Sequence, residues 1–197
     1  MKTFGELKTL AKAQINGKIG VLFVIYLIVI GITLVVGFVP VFGSIANFIL
    51  GSMFSLGVSW VFLKIARGEE ISVRDIFYGF EDLWTAIKAN FFINLFLWLW
   101  ALLLIIPSII KAHSYSMTFF ILAENKGMPV LEAITLSRKM MDGHKMDLFL
   151  LNLSFIGWFF LVAITFGIAG IWVLPYYSAT LTNFYLSVKD EHATKLG

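Results

Sequence analysis

The run IGVLFVIYLIVIGITLVVGFV, Ile19 to Val39, decides the class of this chain. It holds 21 residues without one charge, and a helix of that length reaches roughly 30 Å, the thickness of a bilayer's hydrocarbon core. Four lysines precede it (Lys2, Lys8, Lys12, Lys18), which gives the N-terminus the outward form of a secretory signal. No small-x-small cleavage pattern follows and the apolar run is too long, so it reads as an uncleaved first span. Five further apolar segments stand downstream: Ser44 to Leu63, Ala89 to Ile106, Ile109 to Ala123, Leu148 to Gly167 and Ile171 to Val188.

Composition agrees. Apolar residues make up 59% of the 197 and charged residues 14%, with a mean hydropathy of +0.90; soluble domains hold about 25% charge. One soluble core of this size cannot hide so much apolar surface, whereas a bilayer solvates it from outside. The absence of cysteine removes disulfides, thiolate nucleophiles and Cys-dependent metal sites.

The six segments pair into three hairpins with short connections at Pro40-Val41-Phe42-Gly43, Pro107-Ser108 and Ile168-Ala169-Gly170, where proline and glycine end helices. On this six-span reading fourteen of the fifteen Lys and Arg residues fall on one side, together with all twelve acids, and the other side keeps only Lys111. By the positive-inside rule the charged side is cytoplasmic, and both termini lie there. The fourth segment is the short one: about 15 residues reach only some 22 Å as a helix, so it is expected to be tilted, broken or re-entrant.

A helix with one apolar face precedes each hairpin. The first opens on Thr3-Phe4-Gly5-Glu6, a capping-box pattern, and aligns Phe4, Leu7, Ala11 and Ile15; it should lie flat on the membrane. The second opens on Ser72-Val73-Arg74-Asp75, with Ile71 and Ile76 as a hydrophobic staple, and runs on through Phe77, Phe80, Leu83, Trp84 and Ile87. The third begins at Pro129 and sets Val130, Ile134, Ser137 and Met141 against Glu132, Thr135, Lys139 and Asp142. The fold expected is therefore all-α: one integral membrane domain over 1–197, six transmembrane helices as three hairpins, each preceded by an interfacial amphipathic helix. The pseudo-threefold repeats cover 3–67, 71–126 and 129–189.

Few residues carry chemistry. Lys111 and His113 are ionisable groups in an apolar segment. They either line a solute or proton pathway, or Lys111 snorkels to headgroups while His113 bonds a neighbouring helix. Asn94 and Asn152, with Asn47 and Asn183, either face a polar path or bond across helices. Gly51, Ser55 and Ser59 recur every four residues as a small-residue stripe for close helix contact, within the chain or between copies. Asp142, His144 and Asp147 read as a structural junction, since three potential ligands within six residues lack a matching set elsewhere for a metal. Trp172, Tyr176 and Tyr177 are expected at the outer interface.

The stretches Ile105-Ile106-Pro107-Ser108-Ile109-Ile110-Lys111-Ala112, Ser114-Tyr115-Ser116-Met117, Glu132-Ala133-Ile134 with Ser137, Met140-Met141-Asp142-Gly143-His144-Lys145, Phe155-Ile156-Gly157-Trp158 and Pro175-Tyr176 resemble an uncharacterised bacterial family. It is catalogued as domain of unknown function 975, with members predicted to be integral membrane proteins, mostly of Gram-positive bacteria. The likeness covers nearly the whole chain and is strongest from Ile105 to Tyr177. It implies a bacterial plasma-membrane location and supplies no activity, ligand or catalytic residue.

No phosphate-binding glycine loop, nucleophile elbow, HExxH pair or nucleic-acid stripe is present in the sequence. Three functions follow in order: a non-enzymatic membrane protein that binds or moves a small or lipid-like molecule; a structural or regulatory subunit that docks another membrane protein or a second copy; and, last, an intramembrane enzyme. Membrane lipids are the expected partners, nucleic acid is not, and no cofactor or metal is expected.

Overall fold

Thr3 starts the first helix by a reciprocal cap: its backbone N–H donates to Glu6 Oε2 at 2.7 Å, and Glu6 N–H donates back to Thr3 Oγ1 at 3.3 Å. The computed structural model describes residues 2–39, 42–103 and 105–196, and among these the regular structure is entirely helical. The order is α1 (Phe4–Ile15), α2 (Ile19–Gly37), α3 (Phe42–Ala66), a 3₁₀ helix (Val73–Phe77), α4 (Tyr78–Glu81), α5 (Leu83–Leu103), α6 (Ile105–Tyr115), α7 (Thr118–Glu124), α8 (Val130–Met140), α9 (Lys145–Leu153), α10 (Ile156–Ile164) and α11 (Gly170–Leu196).

Four stretches are long and apolar enough to cross a membrane: Ile19–Gly37, Gly43–Ala66, Leu83–Leu102 and Lys145–Ile164. Three of them are at most 17% buried inside the protein, so their apolar flanks need a non-aqueous surrounding. The two other expected spans differ. Ile109 to Ala123 is broken at Ser116–Met117 into α6 and α7. Ile171 to Val188 lies in α11, whose Tyr176, Thr180, Thr182, Asn183 and Ser187 are buried; this helix faces protein, and its polar content follows from that.

The connections shift too. Pro107 and Ser108 sit within the first turn of α6, where proline costs nothing because its missing N–H has no intrahelical acceptor. They therefore do not form the expected connection between helices. Pro40 and Val41 of the first connection lie outside the described residues. The third connection runs over Thr165 to Ala169, with Phe166 (φ 49°) and Gly167 (φ 90°) both in the left-handed region.

The second amphipathic segment does not form one helix. Ser72 and Asp75 form the expected capping box, and Ile76 is fully buried. The chain then runs through the 3₁₀ helix and α4 against α3, and Leu83 to Lys88 belong to the long α5. Glycines permit that approach: a Cβ on Gly57 would overlap the Ile76 carbonyl, and one on Gly79 the Met53 carbonyl. Trp60 stacks on Tyr78 with centroids 4.5 Å apart, and Lys64 reaches Asp75 at 3.1 Å.

α1 departs from the reading as a membrane-lying helix. Its Leu7, Ala11 and Ile15 are at most 2% exposed and α1 packs on α11, so protein covers the stripe. Lys8 Nζ lies 4.6 Å from the Phe155 ring centre and donates to the Ser154 carbonyl, and Lys12 lies over Tyr176. Burial, then the neighbouring Lys12, push the Lys8 ammonium's pKa down. Tyr176 is accordingly buried beside Phe155 and Trp158 instead of marking an interface, and Tyr177 donates to Asn152 Oδ1 at 2.9 Å. Trp172 is exposed.

Candidate functional site

Two concave regions gather the polar side chains that the apolar segments carry. The first has a volume of about 370 Å³ and lies among α2, α3, α7 and α11, with Ser116 from the α6–α7 break. Thr33, Ser55, Ser59, Ser116, Ser178 and Thr182 line it, with Phe54, Phe62, Phe119 and Phe120 as its apolar wall. Five of these hydroxyls share a pattern, and the sixth, Ser178 Oγ, lies 2.8 Å from Tyr26 Oη. Thr33 donates to Val29 O (2.8 Å), Ser55 to Gly51 O (2.8 Å), Ser59 to Ser55 O (2.9 Å), Ser116 to His113 O (2.7 Å) and Thr182 to Ser178 O (2.8 Å). With each hydrogen spent on the helix's own carbonyl, the oxygens keep lone pairs to offer. The cavity is thus rich in acceptors and suits a ligand that brings donors.

Gly51, Ser55 and Ser59 all face this space. A Cβ built on Gly51 meets nothing within 4 Å, so inside the chain the stripe borders a void and the close helix approach falls to Gly57.

The second region, about 330 Å³, is lined by Lys111, Ser114, Thr135, Arg138, Lys139, Asp142 and Lys145. Lys111, which the sequence reading sets apart from the other cations, here shares one concavity with three of them. The cause is the break after Tyr115. There α8 sends Ser137 into the gap: its Oγ donates to the Ser114 carbonyl at 2.8 Å and accepts from Met117 N–H at 3.3 Å, in a fully buried position. With the broken backbone satisfied, α6 packs on α8 and α9 and carries Lys111 to their cations. Lys111 Nζ also rests 4.6 Å from the Trp100 ring centre.

His113 lies beside this region. One ring nitrogen, Nδ1, is 2.8 Å from the Ile109 carbonyl, the other is buried without a partner, and the ring meets Phe149 edge-on. Asn94 donates to the Asn90 carbonyl and side chain, both at 2.8 Å, beside a separate apolar cleft. Asn183 donates to Gln14, whereas Asn47 Oδ1 is buried and unpaired. His144 stands between Asp147 (3.3 Å) and Glu191 (3.4 Å), while Asp142 faces Lys145 at 3.5 Å; the three junction residues do not converge. Among the described residues no group of three or more His, Asp or Glu side chains could hold a metal.

A centre that sequence reasoning missed is Glu124. Its buried carboxylate bonds Arg67 at 2.6 Å and Lys189 at 2.7 Å, and accepts from Tyr185 Oη. Burial works against its ionisation, but Lys189, Tyr185 and Arg67 outweigh it, and the pKa sits below the usual carboxylate range.

A family profile described as protein of unknown function (DUF975) matches residues 1–114 and 102–192. The chain belongs to the DUF975 family. Membership confirms the resemblance of the Ile105 to Tyr177 stretches and brings with it no assigned activity. No curated protein matches the chain, and no solved structure does. In this DUF975 protein the two concave regions and the Glu124 cluster are therefore read from their own chemistry.

Proposed function

We propose that this DUF975 protein is a non-enzymatic integral membrane protein that binds or moves a small or lipid-like molecule bearing hydrogen-bond donors. The observation that carries the reading is the acceptor-rich cavity among α2, α3, α7 and α11, walled by Phe54, Phe62, Phe119 and Phe120. The arrangement proposed has three helical hairpins, six crossings and repeats over 3–67, 71–126 and 129–189, with both termini cytoplasmic in a bacterial plasma membrane. Support comes from pairs on either side of each connection: Val36 against Gly43, Leu97 with Ser108, and Tyr177 with Asn152. α11 fits a crossing in which neighbouring helices shield its polar residues, so it needs no continuous apolar surface.

A second reading, a subunit that docks a helix of another membrane protein or of a second copy, draws on the same place. The Gly51, Ser55 and Ser59 stripe has open space before it, which a small-residue helix contact would fill. One experiment separates the two. A benzophenone amino acid at Ser55, photolysed in intact membranes, should yield an adduct of low mass that the exposed Phe160 does not give. A protein adduct supports the second reading, and adducts matching those from Phe160 overturn both.

A further inference from the structure

We infer that the cavity between α6, α8 and α9 is a binding site for a phosphate ester, distinct from the acceptor-rich cavity above. Four cations from three helices line it: Lys111 on α6, Arg138 and Lys139 on α8, and Lys145 on α9. The one lining carboxylate, Asp142, is weakly placed at 3.5 Å from Lys145, with its side chain 84% exposed. A formal charge near +3 remains in one concavity.

Topology alone does not account for this. Four cations elsewhere in the chain have acidic partners, Lys64 with Asp75, Arg67 and Lys189 with Glu124, and Lys126 with Glu81, while Lys8 and Lys18 donate to backbone carbonyls and Lys12 lies over a ring. Among the described residues Lys111, Arg138 and Lys139 make no ion pair. Mutual repulsion of four gathered cations costs stability unless an anion joins them. Phosphate is the anion that fits: arginine binds it through a planar fork, and lysine supplies compact charge around the remaining oxygens. The hydroxyls of Ser114 and Thr135 stand in the same lining but donate to their own helices, to Ile110 O at 3.0 Å and Leu131 O at 2.8 Å, so the cations carry the recognition. A volume of about 330 Å³ corresponds to roughly eleven waters at ~30 Å³ each, which exceeds a bare ion and suits a phosphorylated headgroup.

The surroundings suit a lipid as the source of that phosphate. Ile110 on α6, Leu131 on α8 and Met146 and Phe149 on α9 are exposed apolar side chains on the helices that build the cavity. Acyl chains could lie along them while the phosphate sits among the cations. Free phosphate would use the same cations without that face.

The test is ligand-dependent thermal stabilisation of the purified full chain in neutral detergent. Dihexanoyl phosphatidylglycerol and inorganic phosphate are titrated separately at fixed ionic strength, with chloride as the control anion. R138Q and K139Q remove cavity cations, and R74Q removes an exposed cation elsewhere. A saturable shift whose apparent Kd weakens about tenfold or more in R138Q and K139Q, and is unchanged in R74Q, supports the site. Seen only with the lipid, it assigns the source to a membrane headgroup; seen equally with phosphate, to a free phosphate. No saturable shift with either ligand, or equal weakening in R74Q, overturns the proposal. Should a cavity variant be too unstable to titrate, K111Q in its place reads the same charge from another helix.

Discussion

Replacing Gly57 and Gly51 by alanine, six positions apart in the same helix, should move stability in opposite directions. At Gly57 the nearest atoms to a new Cβ all belong to the Ile76 backbone, and its carbonyl oxygen overlaps the methyl outright. A backbone cannot rotate aside as a side chain can, so the 3₁₀ helix and α4 must lift from α3, parting the Trp60–Tyr78 stack and the Lys64–Asp75 pair. Overpacking of this kind costs about 1–3 kcal/mol, against the ~1 kcal/mol that alanine gains over glycine in a helix. Separation of the docked segment adds to the cost, so G57A should lose on the order of 2 kcal/mol. At Gly51 nothing stands within 4 Å, and only the helix term remains, worth about 0.5–1 kcal/mol in favour of alanine. For a chain of this length about 1 kcal/mol corresponds to roughly 2–4 °C in Tm. Tryptophan fluorescence melts in detergent should show G57A lower by about 5 °C and G51A higher by about 2 °C. Equal shifts of the same sign would refute the assignment of the close contact to Gly57.

Ser137→Ala strands the Ser114 carbonyl and Met117 N–H in a buried place, at about 1–2 kcal/mol each, and should lower Tm well beyond Thr135→Ala, whose exposed hydroxyl bonds only its own helix; equal melts would show that the break needs no plug. Leu7→Ala should cost about 2–5 kcal/mol, as core truncations do, because Leu7 is fully buried; a change below about 0.5 kcal/mol would return α1 to the membrane surface. Glu124 ionises more readily folded than unfolded, so its contribution is present above its ordinary value of 4.5 and is lost as pH falls through the lower folded one. Wild type should therefore lose Tm between pH 5 and about 3 more steeply than Glu124→Gln, and parallel acid limbs would contradict the cluster's role.

The elements that were legible in the sequence are those that local chemistry fixes. Thr3 with Glu6 and Ser72 with Asp75 announce helix starts because a cap needs only residues three apart. The face of α8 is readable because burial follows the helical period, with Val130, Ile134, Ser137 and Met141 inside and Glu132, Lys139 and Asp142 outside. What escaped depends on distant partners. Nothing near Leu7 reveals that α11 will cover it, and nothing near Lys111 points to Arg138 across a helix break. The break itself was half visible, as a fourth segment too short to span, but the serine that fills it comes from another helix. Of the candidate residues, Lys111 gained its companions only in three dimensions, while the hydroxyl lining of the first cavity had a faint signal in the four-residue spacing of Gly51, Ser55 and Ser59 and of Ser178 and Thr182. Gly57 and Gly79 gave no sign, since a glycine in an apolar helix looks the same whether or not a neighbour's backbone rests on it.

The Glu124 carboxylate has a bearing on biogenesis. Its partners Arg67, Tyr185 and Lys189 belong to the early and the late portions of the chain, so during synthesis Glu124 emerges with Arg67 alone and waits some sixty residues for the rest. Until α11 is in place, the carboxylate holds Arg67 alone, its second oxygen lacks the bonds from Tyr185 and Lys189, and the earlier helices lack their clasp. Closure of this cluster therefore ties Arg67 at the end of α3 and Glu124 of α7 to Tyr185 and Lys189 only once α11 has packed.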